Sequence, residues 1–171
     1  IVGRAAVERA RDFDIAVRRL VEAGVRDVYL DLRDCPLLDS TFSGTLALLA
    51  EESLGAEPMV RFTLLDAKAR IVDGLANLEV LPFLSVAAEG TLAPVTEEAV
   101  ELPVTPASHR ETGEICLNAH RALMALSPSN QSRFRELETM LSQELEKAPA
   151  NECAGSAASQ RERERWIRGR A

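Results

Sequence analysis

The stretch VYLDLRDCPLLDSTFSGTLALL, residues 28–49, changes period halfway along its length. Val28, Leu30 and Leu32 first alternate with Tyr29 and Asp31, the period-two pattern of a strand with one buried face. Pro36 withholds a backbone donor and closes that run. Phe42, Leu46, Leu49, Ala50 and Leu54 then recur at helical spacing, and Gly55 stands where the helix needs a stop. Between the two patterns lies Asp39-Ser40-Thr41, at the carboxyl end of a strand and the amino end of a helix. Asp and Ser there satisfy free N–H groups of the first helical turn, which reads as a cap. The same N–H groups and the helix macrodipole favour an anion, which reads as the seat of a phosphoryl group.

Working outward, the beat repeats. Phe13, Val17, Leu20 and Val21 form a helical stripe closed by Gly24, upstream of the strand. Downstream, Val60, Phe62 and Leu64 alternate as a second strand, and Ile71, Val72, Leu75 and Leu78 mark a third helix. Phe83 to Val86, after Pro82, reads as a short last strand. Strands alternating with helices predict βαβ crossovers, hence an α/β fold with a mixed, mostly parallel inner sheet covered by helices. Residues 1–90 make this domain; 91–110, with Pro94, Pro103 and Pro106, are a Pro-rich linker. Residues 111–147 read as a helical hairpin: Ile115, Ala119, Ala122 and Leu126 on one helix, SPSN as the turn, Phe134, Leu137, Leu141 and Leu145 on the other. Two helices this short do not bury both stripes alone, so the hairpin is expected to pack on the sheet domain or on a second subunit as a homodimer contact. The tail 148–171 is small and polar, then mixed in charge, and reads as disordered or locally helical, with Trp166 as a candidate docking anchor.

Composition narrows the chemistry. Apolar residues at 46% and charged ones at 27% are ordinary for a water-exposed globular chain, and no apolar run is long enough to cross a bilayer. A formal charge of −7 argues against non-specific nucleic-acid binding and for a protein partner. Cys35, Cys116 and Cys153 are odd in number and lack any C-x-x-C spacing, which fits a reducing cytoplasm rather than a disulfide framework or a zinc knuckle. Nothing before RDFD resembles a signal peptide, and the start at Ile1 reads as a truncation. His109 and His120 are the two histidines, and no serine sits in a G-x-S-x-G elbow, so no catalytic residue is assigned. Cys116 and His120, spaced i, i+4, share a helix face as two metal ligands would, but no further ligand lies near in sequence and they read as core packing. No glycine pattern makes a nucleotide loop, so neither metal nor cofactor is expected.

Residues 28–49 resemble the central segment of STAS domains, the anti-sigma-factor antagonist family, in which a strand leads through a loop to Asp-Ser or Asp-Thr at a helix start. VGRA (2–5) resembles the end of that family's early strand, whose first part is then missing here; RDFDIAVRRLVEAGV (11–25) resembles its first helix. VRFTLLDAKARIVDGLANLEVLPFLSV (60–86) resembles its later strand, third helix and final strand. Gly44 matches the family's second glycine, and Phe42 stands in place of the first. The resemblance implies a cytoplasmic, non-enzymatic switch protein that binds an anti-sigma factor acting as a serine kinase, is released on phosphorylation, and is reset by a serine phosphatase. It implies Ser40 as acceptor, Thr41 as alternative acceptor, and Asp39, Phe42, Ser43 and Gly44 as the partner-binding surface. Glu51 and Glu52, later on the same helix, are expected to be exposed and to extend it. The family also supplies scaffold subunits and cytoplasmic modules of membrane transporters; there a half-exposed Phe42 would suit a permanent contact.

Overall fold

The alternation at residues 28–32 becomes strand β1 (Asp27–Asp31), and the helical stripe that follows becomes α2 (Ser40–Leu54), in a computed structural model that describes residues 1–55, 57, 59–88, 90, 91, 102 and 104–147. Around them lie α1 (Val7–Glu22), β2 (Arg61–Leu65), α3 (Ala69–Asn77), a 3-10 turn (Leu81–Phe83), β3 (Ser85–Val86), α4 (His109–Leu126) and α5 (Pro128–Lys147). The chain is therefore α/β, as the alternation of periods predicts. Among the described residues the three strands form one sheet in the order β1-β2-β3, and both pairings are parallel. Val28 faces Phe62 and Leu30 faces Leu64 across the first pair, which puts the alternating apolar residues of both strands on one side. Tyr29, on the other phase of the alternation, is exposed.

Several local readings are modified. The last strand shrinks to Ser85–Val86, because Pro82 sits in a tight 3-10 turn that uses up the residues before it. Leu20 is largely exposed, so the buried stripe of α1 is Ala10, Phe13 and Val17. The stretch 2–5 contributes one parallel bridge, between Ala5 and Leu38, rather than a strand. SPSN is not a turn: Ser127 alone separates α4 from α5, which begins at Pro128. Proline suits a first helical position because that N–H has no intrahelical partner, and the Ser127 hydroxyl accepts from the Asn130 N–H at 3.2 Å as a cap. The tail 148–171, the prolines at 94 and 103, and Cys153 lie outside the described residues.

The hairpin packs on its own chain. Ser108 and Glu111 form a reciprocal capping box that starts α4, and Arg11 on α1 pairs with Glu111 at 2.9 Å. The Thr105 N–H also donates to Asp12 on α1 at 2.8 Å, tying the segment before α4 to the same helix. Leu123 of α4 and Phe134 of α5 belong to the apolar cluster that holds Leu30, Leu46, Leu64 and Leu75, so sheet, helices and hairpin share one core. Fully buried Asn130 donates from Nδ2 to the carbonyls of Leu78 (2.8 Å) and Leu123 (3.0 Å), fastening the start of α5 to the end of α3. Each buried Leu or Phe contributes about 1.5–3 kcal/mol of transfer free energy. α2 supplies three such side chains, Phe42, Leu46 and Leu49.

Candidate functional site

The loop between β1 and α2 is held from three sides. Ala5 brackets it, donating to the Leu37 carbonyl at 2.9 Å and accepting from the Asp39 N–H at 3.0 Å. Cys35 is fully buried beneath it. Asp39 then caps α2 through Oδ1, which accepts from the Phe42 N–H at 2.7 Å. Its other oxygen, Oδ2, accepts from the Val7 N–H at 2.9 Å. Val7 opens α1, whose own N-cap residue, Ala6, makes no side-chain cap, so one carboxylate serves two helix starts. The sequence motif is thus a cap in the full sense, and it fixes where Ser40 points.

Ser40, the first residue of α2, sends its hydroxyl to a residue eighty positions away: Oγ lies 3.0 Å from Nε2 of His120 on α4. The imidazole Nδ1 lies 2.7 Å from the Cys116 carbonyl, an acceptor only, so Nδ1 carries a proton, and while the ring is neutral Nε2 accepts from the Ser40 hydroxyl. The ring is 1% exposed, with Phe134 edge-on at a centroid distance of 4.8 Å. Cys116 Sγ sits 3.5 Å from Nδ1 and 3.5 Å from the Thr41 hydroxyl. The hydrogen bond to His120 draws the Cys116 thiol below its ordinary pKa, with burial opposing and Thr41 assisting. Burial pushes His120 down, but its bonds to the Cys116 thiol and carbonyl, with the charges of Cys116 and Asp39, outweigh this and leave it raised. A cleft of about 220 Å³ opens beside the pair, lined among others by Thr41, Cys116, His109, Arg110 and Leu145.

The remaining expected site residues are drawn inward. Phe42 is 2% exposed and stacks on Phe13 of α1 at 4.7 Å, so the half-exposed ring expected from sequence is absent; the ring fills the wedge between α1 and α2. Thr41 and Ser43 are buried as well. A Cβ placed on Gly44 would lie 2.3 Å from the Ala119 carbonyl oxygen, so glycine there is what lets the backbones of α2 and α4 touch. In this conformation Phe42, Ser43 and Gly44 therefore face this chain and not solvent. Glu51 and Glu52 are exposed, and Glu52 pairs with Arg18 at 2.6 Å.

His120 and Cys116 are the members of this cluster that sequence reasoning did not place. Their i, i+4 spacing was visible, but nothing local couples α4 to a serine on α2. Chemically the group is a hydroxyl on a helix start with an oriented, buried base against it, beside a thiol of enhanced acidity. Among the described residues no group of three or more His, Cys, Asp or Glu is placed to hold a metal, and no helix is long and apolar enough to cross a membrane. Comparison with protein-family models, with curated proteins and with solved structures returns no match.

Proposed function

We propose that this protein is a non-enzymatic, cytoplasmic regulator of the anti-sigma-factor-antagonist kind, which binds an anti-sigma factor that is also a serine kinase and is released when Ser40 is phosphorylated. The observation that carries the reading is the position of Ser40: the first residue of a helix that leaves the carboxyl edge of a parallel sheet, with its hydroxyl held by a hydrogen bond and its helix start fixed by Asp39. Ligands and partners of open α/β sheets are met at that edge. Phosphorylation adds about −1.5 to −2 charges there at neutral pH. If burying that charge at an interface costs about 4 kcal/mol, binding weakens roughly a thousandfold. A serine phosphatase would reset the chain, and Thr41, buried against Cys116, is the alternative acceptor.

The test is incubation with ATP and an anti-sigma-type serine kinase, followed by intact-mass measurement and peptide mapping. One phosphate on Ser40 is expected; phosphate elsewhere than Ser40 or Thr41, or none, rejects the reading. A second reading, an accessory or scaffold subunit of a signalling or transport complex, is favoured by one observation: this chain's own α4 covers the start of α2 at Gly44 and Ser40, which leaves that helix start closed to a reversible partner in this conformation. Stoichiometric co-purification with a partner, insensitive to ATP, is its signature.

A further inference from the structure

We propose that a docked α4–α5 hairpin and a phosphoryl group on Ser40 exclude one another, so that the hairpin is the moving part of the switch. This rests on the reading of Ser40 as the phosphoryl acceptor and extends it from a surface charge to a change within the chain. The hairpin occupies the part of α2 that the phosphate must use. Nε2 of His120 stands 3.0 Å from Oγ and in the neutral ring accepts its hydrogen bond, and the ring is 1% exposed behind it.

The transfer replaces that O–H. The Ser40 proton goes to the kinase's base, an Oγ–P bond forms, and the bond between the β- and γ-phosphates of a nucleoside triphosphate breaks, releasing the diphosphate. What remains on Oγ is a dianionic group with three acceptor oxygens and no proton to give to Nε2, which could bond it only as an imidazolium, a charged form that burial of the ring opposes. Two features keep the docked state from absorbing it. Asp39 already takes the Phe42 N–H and places its own carboxylate at the same helix start, so the new charge meets a like charge and that N–H is not free to receive it. The helices also have no slack: a Cβ at Gly44 would already lie 2.3 Å from the Ala119 oxygen, so α4 cannot press closer to α2 one turn on while its His120 side chain yields. Separation of the helices relieves both. It also exposes Leu123 and Phe134, which makes the docked state the resting one while Ser40 is unmodified.

The experiment uses the full chain with phosphoserine installed at position 40 during synthesis, so no kinase is involved. Hydrogen–deuterium exchange is compared with the unmodified chain, peptide by peptide. Amides of α4 are expected to exchange at least about tenfold faster in the phosphoserine chain, while β1 and β2 keep their protection, the signature of sub-global opening. Unchanged protection of α4 overturns the proposal, and so does equal loss in β2, which means the whole fold has failed. Ser40→Ala removes the hydrogen bond without adding charge and should speed α4 exchange by about fivefold at most, less than phosphoserine does. If it opens α4 as far as phosphoserine does, the charge is not the cause and the proposal falls. Failure of a kinase to modify Ser40 overturns only the earlier reading.

Discussion

Gly44→Ala separates the local preference of a helix from the demand of its neighbour. In an unobstructed helix interior the change removes backbone entropy from the unfolded chain and stabilises by about 0.5–1 kcal/mol. Gly74, inside α3, is such a place, with no atom within 4 Å of an added Cβ. At Gly44 the new Cβ lies 2.3 Å from the Ala119 oxygen, 2.7 Å from its carbonyl carbon and 3.0 Å from its Cα. Ordinary contact needs about 3.5 Å, so α4 must retreat by roughly 1 Å. Because every contacted atom is backbone, no rotamer change and no Ala119→Gly substitution relieves it. Overpacking of this kind costs about 1–3 kcal/mol, which outweighs the propensity gain, and retreat of α4 also stretches the Ser40–His120 bond. The expected result in urea denaturation is a midpoint shift of opposite sign for the two variants at equal slope: Gly74→Ala up, Gly44→Ala down by about 1–2 kcal/mol net. If Gly44→Ala stabilises the chain as Gly74→Ala does, the seam between α2 and α4 is not where the structure puts it.

Two further outcomes follow from the same cluster. Asp39→Ala removes the caps of α1 and α2 together and should destabilise by about 2–3 kcal/mol in the same assay, about twice a single cap, whereas a loss below about 1 kcal/mol would mean that only one helix start depends on it. Iodoacetamide labelling of Cys116, followed by peptide mapping, should reach half its limiting rate at a lower pH in the folded chain than in urea, because the bond to His120 favours the thiolate. His120→Gln should move that midpoint up, and an unmoved midpoint refutes the pairing.

The elements legible in the sequence are those whose periodicity reports burial on one side only. β1, β2 and α1 sit with one face in the core and one in water, and Val28, Leu30, Phe62, Phe13 and Val17 were found by alternation or by helical spacing. α2 defeats that logic. Its stripe of Phe42, Leu46 and Leu49 was visible, yet Thr41, Ser43 and Thr45 are buried too, because a second helix covers the other side. Polar residues on a helix ordinarily report solvent; here small ones line a close helix contact, with the Thr45 hydroxyl satisfied by the Thr41 carbonyl at 3.0 Å. The hairpin's apolar residues foretold that it must pack on something, but not on what. That information resides in Gly44, in the Ser40 hydroxyl and in His120, three residues whose local sequence gives each a sufficient explanation of its own.

The same bonding decides what kind of anion site the start of α2 is. A helix N-terminus attracts free phosphate when its first N–H groups are unclaimed and its surroundings are neutral or basic. Here the Phe42 N–H is bonded to Asp39, the carboxylate that holds it carries the charge an anion would bring, and the Ser40 hydroxyl is committed to His120. Passive binding of inorganic phosphate is therefore disfavoured at the position where the bare motif invites it. A phosphoryl group attached to Oγ, by contrast, does not compete with Asp39 for the Phe42 N–H. The proposed modification of Ser40 therefore has to replace its hydrogen bond to His120 with the bond from Oγ to phosphorus.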